Sequence, residues 1–305
     1  MVGDIAIQSH VIGTAFGKIE ERSKMKPQNV IIIFFFFSFL LIIPNIIGVV
    51  KGSDQYRPNI DLAVSYLVGN YDPHVGLIYE SEDDGTHWLG SWATYRNTYW
   101  LYSDNLEALH VLEKYNPAIA ENISRTYNSY EFPKNTLLYG TLFGENIPDD
   151  IRDAENIAVV NNSELVVIYR RHQGNEQHPY DYPWHLWSDT LCYRALDEYQ
   201  FGDKAKARNI LEEALDHWDG LGFNDHSTKK NGFYANYKIG LFLYVADKMN
   251  YPLSADTKAD MERQMWRQQN PETGGITSLA DLNGQPIGSA NVETTALTLL
   301  PYTLQ

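Results

Sequence analysis

The sequence predicts a mainly helical domain of antiparallel hairpins, carrying a small β-insert, behind one N-terminal membrane-spanning helix. Three observations predict it. Val30–Val50 reads VIIIFFFFSFLLIIPNIIGVV, without a charge. Beyond Lys51, apolar residues recur at helical spacing between Gly, Pro and Asn punctuation. One later stretch switches to β-branched runs around an Asn-rich turn.

As a helix, Val30–Val50 is about 31 Å long, close to the thickness of a bilayer core. Pro44 and Asn45 interrupt it. Lys18, Arg22, Lys24 and Lys26 precede it, and fewer basic residues follow. The positive-inside rule then makes residues 1–29 a short cytoplasmic tail and 30–50 a transmembrane signal anchor in the lipid bilayer. Residues 51–305 become an extracytoplasmic domain at the cell membrane. A cleaved signal peptide is the rival reading, but Gly48-Val49-Val50-Lys51 offers no A-x-A pattern. Met25-Lys26-Pro27 also resembles the start of an anchor, which would leave residues 1–24 upstream of the true start.

The domain that follows is acidic. The chain of 305 residues has a net charge of -15 and is 44% hydrophobic, enough for one large or two ordinary domains. Residues 1–50 hold 4 basic and 3 acidic side chains, and the remainder 20 and 36. Such a domain repels phosphate backbones, which argues against nucleic acid as a partner. It suits neutral or cationic ligands, or a metal held by carboxylates. The one cysteine, Cys192, excludes an intrachain disulfide and a multi-cysteine zinc site. Its apolar helical surroundings read as those of a buried, inert thiol rather than a reactive one.

Helices are expected near Asn59–Val68, Asp104–Lys114, Pro117–Tyr130, Asp189–Gln200, Lys204–Trp218, Asn236–Met249, Ala255–Gln268 and Val292–Leu300. Short connections within pairs make neighbours antiparallel. Between the third and fourth helices, Ile157–Val160 and Leu165–Tyr169 flank Asn161-Asn162-Ser163-Glu164. That pattern predicts a hairpin within an insert of about 136–172. A weak repeat links Leu101-Tyr102-Ser103-Asp104-Asn105-Leu106 to Leu186-Trp187-Ser188-Asp189-Thr190-Leu191. Further helix starts at Tyr237 and Glu293 suit hairpin repeats of roughly 40–50 residues.

Near the C-terminus, Met265-Trp266-Arg267-Gln268-Gln269, Pro271-Glu272-Thr273-Gly274-Gly275-Ile276 and Asn291-Val292-Glu293-Thr294-Thr295-Ala296-Leu297 resemble the repeat of α/α-toroid proteins. Terpenoid cyclases, protein prenyltransferase β-subunits and thioester-containing complement-like domains share that repeat. The resemblance implies an α/α toroid or, with only four hairpins, an open arc. It implies no chemistry, because the Cys-Gly-Glu-Gln, Asp-rich and Asp/Cys/His zinc signatures are missing.

In such a toroid the inner helices run parallel, so their N-termini gather at one pole. Asp104, Asp189 and Glu293 then become candidate catalytic carboxylates, since glycoside hydrolysis needs one acid and one base or nucleophile. The alternative is that Ser103 and Ser188 are N-caps and each Asp answers its helix dipole. Trp100, Tyr102, Trp184, His185, Trp187, Asp219 and Tyr237 are candidate ligand-binding residues, as aromatic faces beside acids hold sugar rings. The alternative for most of them is packing, and for Asp219 a solvated turn. The run Glu80-Ser81-Glu82-Asp83-Asp84-Gly85 reads as a solvated loop, because it lacks EF-hand spacing. There is no His-Glu-x-x-His pair, and no motif calls for a cofactor or a metal. Asn122-Ile123-Ser124 and Asn161-Asn162-Ser163 are N-glycosylation triplets.

Two functions follow from the same residues. One is a non-catalytic domain binding a glycan or a cell-envelope protein in an acidic, aromatic-lined funnel, and the sequence leans this way because no specific catalytic motif exists. The alternative is a glycan-active enzyme, hydrolase or lyase. They separate on whether two carboxyl groups face each other across a cleft.

Overall fold

The computed structural model describes residues 55–80, 98–100, 103–129, 138–145, 151–152, 156–162, 165–171, 176–177 and 183–304. The chain divides into residues 1–55 and a compact unit of residues 56–305. The predicted tail and membrane span lie outside the described residues. Among the described residues, no helix is long and apolar enough to cross a membrane.

The unit is mainly helical, with small sheets. Its helices are α1 (Arg57–Gly69), α2 (Ser103–Tyr115), α3 (Pro117–Ser129), α4 (Ser188–Phe201), α5 (Lys204–Leu215), α6 (His226–Asn231), α7 (Tyr237–Lys248), α8 (Ala255–Arg267) and α9 (Val292–Leu299). Each of the eight expected helices forms at its expected place. The short α6 was not anticipated, because six residues are too few to show a period.

Local chemistry sets the boundaries. Asp203 caps α5 by accepting from Ala205 N at 2.7 Å and Lys206 N at 3.3 Å. Ser254 caps α8 through Thr257 N, and Asn291 caps α9 through Thr294 N. The expected fifth helix reached Trp218. It stops at Leu215, and residues 216–218 enter a turn that Asp219 closes.

Three hairpins pair neighbours: α2 with α3, α4 with α5, and α7 with α8. One member of each lies inside, and with α9 these form a row in which α4 packs on α7, α7 on α9, and α9 on α2. The difference in burial fits the sequences. In α7, every residue from Lys238 to Ala246 is buried, whereas α3 buries only Ala120 and Ile123. A helix apolar on all sides belongs in the middle, and an amphipathic one belongs on the rim.

The predicted hairpin forms, with Asn156–Asn162 antiparallel to Leu165–Arg171. A third strand, Thr98–Trp100, joins it in parallel. Its three residues are too short for a period-2 signal. One boundary needs correction. Leu138–Phe143, taken as the start of the insert, is a 3-10 turn of the helical body. Leu142 is buried, Gln200 donates to Thr141 O and Tyr244 donates to Leu142 O, both at 2.9 Å.

A second sheet was not foreseen: Phe233–Ala235, Thr277–Asp281 and Pro286–Ala290, all antiparallel, with Thr277–Asp281 central. It sets the start of α7. Asn236 donates from its backbone to Ser278 O and from its side chain to Thr277 O at 2.8 Å.

Helices α7 and α9 approach closely at Gly240. A Cβ on Gly240 would fall on the carbonyl oxygen of Leu297 and 2.8 Å from Thr298 Cα. Gly240→Ala should therefore force the two helices apart and destabilise the fold by about 1–3 kcal/mol. Urea denaturation measures this, and an unchanged midpoint would contradict the packing.

Candidate acidic site

Asp104, Asp189 and Glu293 each occupy the second residue of their helix: α2, α4 and α9. At α7 the first two positions are Tyr237 and Lys238. The structure brings these starts together. Glu293 lies within electrostatic reach of both Asp104 and Asp189. Tyr237 donates its hydroxyl hydrogen to Asp189 Oδ2. Asp189, Tyr237 and Glu293 keep partial exposure, while Asp104 is buried behind them.

Two further carboxyls complete the cluster. Glu80 arrives on the segment after α1. The Asn105 amide docks that segment, accepting from Ile78 N at 2.7 Å and donating to Ile78 O at 3.1 Å. Glu80 then bridges α2 and α9: its carbonyl accepts from Val292 N at 2.8 Å, and its Oε1 from Asn291 Nδ2 at 3.3 Å. Its Oε2 is buried and meets no donor from another residue. It sits instead against the carboxyl of Asp104. A proton between them satisfies both groups, because two buried carboxylates in contact cannot both ionise. Glu107, one turn along α2, is 0% exposed and neither of its carboxyl oxygens has a hydrogen-bond partner.

Burial pushes Glu80 well above the usual carboxylate range, and the charges of Asp104 and Glu293 push it further. Burial raises Glu107 in the same way, with Glu293 and Asp104 adding to it. Asp104 is raised by burial against the opposing hydrogen bonds from Glu80, Ser103 Oγ and its own backbone. Glu293 is pushed up to about 8, by burial first and then by Asp104 and Asp189.

Asp189 is held differently. Its Oδ1 accepts from Thr190 N at 2.9 Å and lies 3.7 Å from Lys238 Nζ. Burial and then the Asp189 charge raise the Tyr237 phenol well above its usual range, so it stays a donor. Lys238 is itself buried and reaches Asp225 Oδ2 at 2.5 Å. Asp225 also accepts from Ser188 N at 3.0 Å and Thr228 N at 3.2 Å. Burial works against its charge, but the Lys238 ammonium and those N–H groups hold it below the usual range. This ion pair ties the starts of α4, α6 and α7 together.

The capping alternative does not describe the serines. Ser188 Oγ lies 3.0 Å from His217 Nδ1, and α4 has no side-chain cap. Ser103 Oγ donates to Asp104 Oδ1 at 2.5 Å.

The candidate aromatics divide. Thr190 Oγ1 donates to Trp184 O and Trp187 O, fixing the turn that leads into α4. Trp184 packs partly against the core, Trp187 meets His226 edge-on at 5.3 Å, and His185 is exposed. Trp100 belongs to a strand whose side chains lie outside the described residues, and Tyr102 itself lies outside them. Asp219 closes its own loop, accepting from Leu221 N and Gly222 N, and accepts from Tyr234 OH at 2.6 Å.

Sequence reasoning missed Glu80, Glu107 and Lys238 as members of this set. The run from Glu80 to Gly85 reads as a solvated loop, whereas Glu80 is buried at the cluster. Glu107 had a readable signal, since it shares one face of α2 with Asp104, Ala108 and Val111. Among the described residues, no three His, Cys, Asp or Glu side chains are arranged to hold a metal. Cys192 is buried, and burial pushes its thiol well up, as an inert thiol requires.

No known protein family, curated protein or solved structure matches the chain. The geometry must therefore carry any functional reading alone. Chemically, the pole combines a carboxyl that burial pushes up to about 8, Glu293, with an aspartate side chain oriented by a phenol and an ammonium.

Glu80, Asp104, Glu107 and Glu293 all have folded values above their unfolded ones. The folded state therefore binds more protons, and its advantage is full below about pH 4, near the unfolded carboxyl values. It is lost as pH rises, for Glu293 through about 8. Each group contributes a slope of up to about 1.4 kcal/mol per pH unit within its window. Thermal stability should thus decline from pH 5 to pH 8, and Glu107→Gln should flatten the decline. An identical pH dependence in the variant would show that Glu107 is not protonated in the fold.

Proposed function

We propose that this protein is a glycan-active enzyme, a glycoside hydrolase or lyase, working at the acidic pole of an α/α toroid or open arc. One observation carries the proposal. Carboxyl groups from three separate helix starts converge: burial raises Asp104 and Glu293, while Asp189 accepts from the Tyr237 hydroxyl and lies 3.7 Å from the Lys238 ammonium. Glu293 keeps a proton and suits the general acid. Asp189, aimed by Tyr237 and Lys238, suits the base or nucleophile. Environments that separate the acids in this way are how one site runs both halves of an acid–base reaction.

The remaining residues take supporting roles. Asp104 and Asp189 set the field at Glu293, and Glu80 sits against Asp104. Tyr237 bonds to Asp189, and Trp184, His185 and Trp187 lie on the turn that leads into α4; aromatic rings of this kind suit stacking on a sugar. Among the described residues the pole's buried cation, Lys238, is already engaged by Asp225 and Asp189, which suits neutral sugars better than uronates. The proposal places this unit outside the cell membrane, held by residues 30–50, where cell-envelope glycans are within reach.

The test uses the full chain and a panel of neutral oligosaccharides. Asp189→Asn and Glu293→Gln should each lower turnover by about 10²–10⁴-fold, the range for removing a general acid or base. Wild-type activity should fall above pH 8 as Glu293 loses its proton. Saturable glycan binding without turnover would instead favour the non-catalytic funnel. Variants that lose thermal stability while keeping both binding and turnover would reduce these acids to helix-start residues.

A further inference from the structure

One oxygen of Asp225 holds two groups at once. Its Oδ2 accepts from Ser188 N at 3.0 Å and from Lys238 Nζ at 2.5 Å. Ser188 is the residue before Asp189, so the carboxylate that grips the lysine also grips the backbone that carries the aspartate. Asp225 is itself fixed. It is 0% exposed, and its other oxygen accepts from Thr228 N at 3.2 Å.

Lys238 is 2% exposed, so its ammonium must be met by protein groups. Asp225 meets it directly. Asp189 Oδ1 lies 3.7 Å away, close enough to feel the charge and beyond hydrogen-bonding range. The Asp189 oxygens are met by Thr190 N and the Tyr237 hydroxyl instead. The other ionisable groups facing Asp189 are Glu293, the Tyr237 phenol and the Cys192 thiol, and among the described residues Lys238 is the cation there. The His217 ring also faces Asp225. Both ends of the 3.7 Å gap therefore hang on Asp225 Oδ2. An ammonium in direct contact would favour the charged carboxylate and blunt it as a base or nucleophile. One held further back orients the side chain and leaves its lone pairs to the reaction.

We propose that Asp225 is a positioning residue for the reaction at the acidic pole: through one oxygen it sets the distance between Lys238 and Asp189. This role rests on Asp189 being the base or nucleophile there.

The pH–rate profile of the full chain, on a neutral oligosaccharide that the wild type turns over, tests it. Asp225→Asn frees Lys238 to close on Asp189. Its acidic limb should move down by about one pH unit, the effect of a cation reaching a carboxylate, and turnover on the plateau should fall at least about tenfold. Lys238→Gln keeps a donor for Asp225 and removes the charge, so its acidic limb should move up. The double substitution should return the limb from the Asp225→Asn position toward that of Lys238→Gln. A residue that only holds the fold would lower thermal stability and leave every limb in place. An acidic limb unmoved in Lys238→Gln, or a double variant with the profile of Asp225→Asn, would overturn the proposal. The Lys238→Gln result decides even where Asp225→Asn fails to fold. No wild-type turnover, or full turnover in Asp189→Asn, would sink the reading of the pole and this role with it. Turnover lost in Asp189→Asn but limbs that stay in place would sink this role alone.

Discussion

Four helix N-termini converge on one small volume, and the consequences of that convergence govern the rest of the structure. Each N-terminus carries a partial positive charge of about half an elementary unit, which attracts carboxylates. Three helices accordingly place one at their second residue: Asp104, Asp189 and Glu293. Convergence then creates the opposing problem, because carboxylates drawn to the same place repel one another as water is excluded. The fold resolves it in two ways. On the α4–α7 side, the buried Lys238–Asp225 pair and the Tyr237 hydroxyl hold Asp189. On the α2–α9 side no cation stands among the described residues, and burial raises the carboxyls instead, with Glu80 hydrogen-bonded to Asp104.

The two solutions are what make the pole chemically uneven. A uniform cluster of ionised acids would be a cation trap, and a uniform cluster of protonated ones would be inert at neutral pH. Here the aspartate of one side meets a phenol and an ammonium, while burial raises the acids of the other, within a few side chains of each other. The arrangement costs stability, since Glu107 is buried with no hydrogen-bond partner for its carboxyl oxygens. Sites that concentrate such costs in one cleft, with titratable groups pushed apart, are those that carry proton-transfer chemistry in other proteins.

Much of the helical framework was legible in the sequence, because apolar spacing and caps such as Asp203, Ser254 and Asn291 are local signals. The hairpin at Asn156–Arg171 was legible for the same reason. Pairings of distant short segments were not, as with Thr98–Trp100 beside Leu165–Arg171, or the sheet that positions Asn236. The repeated Ser-Asp pattern pointed to Asp104 and Asp189 as equivalent positions. It could not show Glu80, which reaches the cluster from outside the repeat through Asn105 and Val292. Nor could it show Lys238, whose partner Asp225 lies in a loop with no pattern of its own. The serines of the repeat looked like caps in sequence, yet Ser188 turns to His217 and Ser103 to Asp104. Side-chain direction at a helix start depends on what neighbouring helices offer, and that is tertiary information.

The central claim is that carboxyl groups at this pole remain protonated at neutral pH. Infrared absorption of the protonated carboxyl carbonyl, recorded at pH 7 and again in heavy water, reads this directly. The account predicts a carboxylic acid band at pH 7 that shifts on deuteration, weakens in Glu293→Gln and in Glu107→Gln, and disappears for Glu293 as pH rises past about 8. A spectrum with no protonated carboxyl at pH 7, and no difference between wild type and either variant, would contradict it.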